Sequence, residues 1–223
     1  MNDNFSLARG LTLKILIITM LLTISKGQVT IGLEDIVERD GITYNKNSNS
    51  PYSGSLTLFY ENGQESELRT YKNGKKDSLW NYWYEDGQRR LEGSFKYGKR
   101  TEIWTYWYSN GQKDTQGTYV NGFQHGFWTT WYESGETWIQ GAYKGGNKDG
   151  LWITWYESGQ KKSEGNYDYG YQDGLWTTWY LSGQKETEGI YNLGNQEGFW
   201  NTWYESGKKW SKSNYKDGEK ITQ

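Results

Sequence analysis

The chain has 223 residues, of which 18% are aromatic and 34% hydrophobic overall, with a formal net charge of −2. Acidic and basic residues are interspersed, so no basic stripe tracks a phosphate backbone and no charge pattern favours anionic lipid, which argues against nucleic-acid partners and electrostatic membrane docking. There is no cysteine and one histidine, His125, so a disulfide framework, a zinc site and a nucleophile–histidine pair all lack their parts.

The first residues read as a secretory signal. Arg9 and Lys14 lead into an apolar run, Ile15 to Ile24, and Ser25-Lys26-Gly27 places small residues at the cleavage-determining positions. The run is short for a membrane span, and Lys26 closes it early. Residues 1–27 are therefore expected to be a signal peptide cleaved after Gly27, with a retained anchor as the alternative. The expected location is outside the cytoplasm: periplasmic, cell-surface or secreted. Residues 28–53 then form a leader or cap ahead of the main body.

From 54 to 218 the chain repeats every 24 residues. One tryptophan series is Trp80, Trp104, Trp128, Trp152, Trp176 and Trp200; a second, three residues behind it, is Trp83, Trp107, Trp131, Trp155, Trp179 and Trp203. A tyrosine follows each pair (Tyr84 to Tyr204), then a glycine (Gly87 to Gly207), without insertion or deletion. A strict period in this range marks a repeat array whose units bury their apolar face only by stacking on neighbours. We read seven copies over 54–218, with 219–223 as a C-terminal tail.

The copy from Gly150 to Gly174 shows the plan. Leu151 to Tyr156 is aromatic and β-branched, as a strand requires. Ser158-Gly159 supplies a turn, and other copies place Asn62-Gly63, Asp86-Gly87 and Asn110-Gly111 there, dipeptides that suit a type I′ hairpin. A second strand runs to Tyr167, and a looser connection is expected around Gly170. A two-residue turn pairs Trp152 with Gly165 and Gly150 with Tyr167. The missing glycine side chain then leaves room for the indole to lie over the backbone. Gly93, Gly117, Gly141, Gly165 and Gly189 hold this place; Arg69 and Ser213 replace it in the end copies. Ser78 and Glu102 stand where later copies have Gly126, Gly150, Gly174 and Gly198, which predicts looser stacking early in the array.

In this register one face carries Trp152, Tyr156, Gly165 and Tyr167, so the first tryptophan series and the glycines make a structural ladder. The other face carries Leu151, Ile153 and Trp155 with Lys162, Glu164 and Asn166. At about 10 Å per two-stranded copy, the array extends roughly 65–70 Å if uncurled. The expected fold class is all-β: a repeat array of antiparallel β-hairpins forming an elongated, twisted single sheet.

The unit resembles the MORN repeat (membrane occupation and recognition nexus), more closely its bacterial variant. The matching residues are Gly150-x-Trp152, Gly159 at the turn, Gly165-x-Tyr167, and Gly170 with Gly174 closing the copy. The leader, with Leu33-Glu34-Asp35-Ile36-Val37, Asp40-Gly41-Ile42-Thr43-Tyr44 and Pro51-Tyr52-Ser53-Gly54, is similar to the segment that opens many exported members. The resemblance implies a hairpin array used for protein or membrane-associated scaffolding, and it carries over no catalytic residue.

These readings converge on a non-enzymatic, exported scaffold that binds a protein or an envelope component, without cofactor or metal. The candidate binding track is Trp83, Trp107, Trp131, Trp155, Trp179 and Trp203. Two readings of that track stay open: the sheet covers it with its own Lys, Gln and Glu stems, or it is an exposed aromatic path. The second would suit carbohydrate or cell-wall stacking, the alternative function. A carboxylate hydrolase is the remote one. Glu133, Glu157 and Glu205 recur beside the turn, as solvated strand ends do and as a single catalytic pair does not. His125 is expected in a solvated loop.

Overall fold

The structure, a computed structural model, describes residues 32–221. The signal-peptide reading lies outside the described residues. A 3₁₀ turn, Leu33–Asp35, opens this region, followed by a two-stranded sheet of Ile36–Arg39 and Ile42–Asn45. From Gly54–Phe59 to Glu219–Ile221 the chain then lays down one antiparallel sheet of sixteen strands. Each strand pairs with its neighbours in sequence, and only Lys75–Lys76 sits off this path, beside Glu65–Lys72. The sheet is open, as the sequence predicts. Glu219–Ile221, expected as tail, adds a short strand against Asn214–Lys216.

The predicted register holds. Trp152 pairs with Gly165 and Gly150 with Tyr167. It holds, however, through two departures from the expected turn. The loop at Ser158-Gly159 has three residues: the Gly159 N–H donates to the Tyr156 carbonyl (2.9 Å), the Tyr156 N–H to the Gln160 carbonyl (2.8 Å), and Gly159 alone has positive φ (85°). This is a type I turn closed by a glycine bulge. The extra residue shifts the pairing to Trp155 with Lys161, and a second bulge at Lys162 restores Thr154 opposite Ser163. Consequently Lys161 joins Trp155 on its face, where Lys162 was expected; the Lys162 ammonium instead lies 5.3 Å from the Tyr156 ring centre.

The type I′ turns stand at the opposite rim. Tyr169 (φ 46°) and Gly170 (φ 88°) make one where a looser connection was expected. The Asn and Asp of the first rim have another task. Asn62, Asp86 and Asn110 accept, through side-chain oxygen, the N–H two residues on, each at 2.9 Å. They act as side-chain mimics of a turn, which needs no positive φ.

The core is a single aromatic ladder. Tyr71, Trp80, Phe95, Trp104, Tyr119, Trp128, Tyr143, Trp152, Tyr167, Trp176, Tyr191 and Trp200 follow one another with ring centres 4.9–6.1 Å apart, all edge to face. Such pairs contribute about 0.5–1.5 kcal/mol each beyond burial. At the start, Leu56 takes the tryptophan's place, fully buried, and Tyr52 stacks on Tyr71 at 5.8 Å.

The seating of each indole corrects the sequence reading. Trp152 does not cover Gly165, its partner across the hairpin; it covers Gly141 on the preceding strand, where a Cβ would lie 2.3 Å from the indole. The same displacement puts Trp104 over Gly93, Trp128 over Gly117, Trp176 over Gly165 and Trp200 over Gly189. The cause is a bulge at Gly150 (φ 71°): Ala142 pairs with Asp149 and Gln140 with Ile153, leaving two unmatched residues that lean the indole towards the earlier strand. There the Trp152 Nε1–H donates to the Ala142 carbonyl at 3.1 Å. Six indoles make this bond, each to the residue ten before it.

Early stacking is not looser. Ser78 (φ 59°) and Glu102 (φ 60°) adopt the left-handed conformation of the later glycines, and a Cβ at Gly126, Gly150, Gly174 or Gly198 meets open space. The difference between the copies is backbone strain, and Trp104 is only 2% exposed.

Candidate functional site

The array offers two faces. On the outer face Leu151, Ile153 and Trp155 alternate along one strand, as predicted. Trp83, Trp107, Trp131, Trp155, Trp179 and Trp203 are half-buried there. Tyr132 and Tyr156 donate hydroxyl bonds to the carbonyls of Trp155 and Trp179, both at 2.8 Å, and four more tyrosines repeat the clamp from copy to copy. The Lys113, Lys161 and Lys185 ammoniums lie 5.3–5.8 Å from the ring centres of Trp131, Trp179 and Trp203, each one copy ahead. Lys161 also pairs with Glu164, and Lys185 with Glu188. The second tryptophan series is thus a row of rings overlain, in three copies, by lysine, rather than a bare aromatic path.

The large exposed apolar side chains of this face form another row. Leu79, Ile103, Phe127, Leu151, Leu175 and Phe199 precede the buried tryptophans and are 41–60% exposed. The sequence reading placed Leu151 on this face but missed the row. Its signal was available: every one of these copies has a large apolar residue directly before its first tryptophan.

The ladder face differs along its length. Around Trp176 it opens into a groove of about 340 Å³, floored by Trp176, Tyr191 and Trp200 and rimmed by Gln172, Thr178 and Glu186, with Lys162 among the remaining lining residues. Glu186 accepts the Thr178 hydroxyl at 3.0 Å. Burial raises the Tyr191 hydroxyl pKa above its usual value, and, one copy earlier, lowers that of the Lys148 ammonium. His125 lies exposed in the strand Phe123–Trp131 opposite Thr118, not in a loop, and Glu133, Glu157 and Glu205 are exposed at their turns. Among the described residues no three of His, Cys, Asp and Glu come together as metal ligands.

The family recognised as the MORN repeat variant matches residues 103–121, 148–169, 172–193 and 196–217. The chain belongs to this family. Each full match spans one hairpin closed by the three-residue turn, such as Asn147–Trp155 with Lys161–Asp168. MORN repeats mark the chain as a repeat protein with a binding role. No curated protein matches the chain.

Proposed function

We propose that this MORN repeat chain is a non-enzymatic, exported scaffold that binds a protein or an envelope component through its array surface. The observation that carries this reading is the outer row of Leu79, Ile103, Phe127, Leu151, Leu175 and Phe199, exposed in register with the repeat. At about 10 Å per copy the row runs roughly 50 Å. Aligned apolar side chains of that extent mark interaction surfaces more often than chance exposure does. Export rests on reading residues 1–27 as a signal peptide. The glycan alternative draws less support, because lysine ammoniums occupy the ring faces of Trp131, Trp179 and Trp203 that a sugar would stack upon.

The test is capture from an envelope fraction by the full chain and by a variant carrying Leu151→Ser with Leu175→Ser. Both side chains are half-exposed, so the variant is expected to fold and to lose its partner at least tenfold. Undiminished capture would remove the basis of the reading. Retention on polysaccharide, abolished by Trp155→Ala with Trp179→Ala, would replace it with the glycan function.

A further inference from the structure

Three copies of the array fill the space above their aromatic pair with a cation from the same chain. The Lys76 ammonium lies 4.7 Å from the Trp80 ring centre and 5.4 Å from that of Phe95. The Arg100 guanidinium lies 4.5 Å from Trp104 and 5.2 Å from Tyr119. The Lys148 ammonium lies 4.3 Å from Trp152 and 4.8 Å from Tyr167. These residues share one position in the 24-residue period, and in the next copy that position is Gln172. Gln172 is neutral, and the groove of about 340 Å³ opens over its pair, Trp176 and Tyr191.

The surroundings of this groove suit a cation. Three aromatic rings floor it, and the Glu186 carboxylate stands on its rim. Lys162 also lines it, but its ammonium is drawn to the Tyr156 ring, 5.3 Å away. Small side chains make the room. Thr178 stands where Tyr106 stands beside Trp104, and Thr178 and Thr187 stand where Tyr82 and Leu91 stand around Trp80. At Gln124, the other neutral position before it, Trp138 and Ile139 hold the positions of Glu186 and Thr187, so the carboxylate is missing there.

We infer that the groove over Trp176 and Tyr191 receives a lysine or arginine side chain from a protein partner, in the position that Lys76, Arg100 and Lys148 fill from within. The chain's own cations show which group fits above such a pair and at what height. Aromatic faces attract a cation through the ring quadrupole, by about 0.5–2 kcal/mol depending on desolvation. This inference rests on the protein-binding reading, but it concerns the face opposite the outer apolar row.

The experiment uses the full chain and two probe peptides, acetyl-Gly-Lys-Gly-amide and its norleucine counterpart, which has the same stem without the charge. Binding is followed by the indole Nε1–H resonances of Trp176 and Trp200. The lysine peptide is expected to bind about 2–30 times more tightly than the norleucine peptide. Gln172→Lys should supply the cation internally, as Lys148 does, and erase that preference. Gln172→Ala should keep it, since the groove stays neutral and open. Equal binding of the two peptides to the native chain overturns the inference. So does a lysine preference that survives in Gln172→Lys, or one that vanishes in Gln172→Ala. Because the peptides need no captured partner, and Leu151→Ser with Leu175→Ser leaves the groove intact, failure here and failure of the scaffold reading are separable.

Discussion

Trp104 and Trp176 occupy the same place in two copies and meet different surroundings. Over Trp104, Arg100 lies against the ring and donates to the Tyr106 and Tyr119 hydroxyls at 3.2 and 3.0 Å, and the indole is 2% exposed. Over Trp176, Gln172 and Thr178 stand in the places of Arg100 and Tyr106, a groove opens, and exposure rises to 7%. The backbone plan is shared: both indoles cover the preceding glycine and donate to the following carbonyl. The lesson is that one backbone plan leaves the ladder face filled or open according to the side chains at two positions, Arg100 with Tyr106 or Gln172 with Thr178.

The severest way to break the comparison is to remove the buried indole. Trp104→Ala should cost about 4 kcal/mol in denaturant unfolding, and Trp200→Ala, at 9% exposure near the end of the array, nearer 3. Equal losses would deny the difference between the two regions. Gly165→Val should cost about 3 kcal/mol by overpacking and should displace Trp176, whose ring lies 2.2 Å from the new Cβ. A perturbed Trp152 resonance with an unmoved Trp176 would contradict the observed seating.

Smaller changes sharpen the picture. Arg100→Gln imitates the later copy; it should cost about 1.5 kcal/mol and render Trp104 accessible to acrylamide quenching, through loss of the cation–ring contact and two hydrogen bonds. Tyr156→Phe removes a clamp present in both regions, so it and Tyr84→Phe should each cost about 1 kcal/mol, and unequal values would show that the clamps differ. Glu102→Gly relieves a left-handed residue whose counterpart Gly126 has free space around it; a gain of about 0.5 kcal/mol in thermal unfolding is expected.

Much of this was legible in the residues. Trp152 opposite Gly165 followed from counting outward from the turn, although the turn had one residue more than supposed and Lys162 bulged to compensate. Two local departures cancelled, so the face of the buried tryptophans came out right while Lys161 and Lys162 exchanged sides. The outer row escaped because Leu151 or Leu175 alone is an ordinary strand residue, and only their common exposure distinguishes them. The groove escaped for another reason: Gln172 and Thr178 are unremarkable until the positions above Trp104 are seen filled.

Legible from the residues alone were the period, the strand content, the hairpin pairing of Trp152 with Gly165, and the identity of the buried rings. These depend on alternation along one strand and on spacing between copies, both of which are local or strictly repeated. The tertiary structure alone decided which glycine each indole covers, which rim carries which turn, and where the ladder face opens. Those outcomes depend on how a bulge in one hairpin leans its side chain onto the strand before it, and no residue type records the direction of that lean.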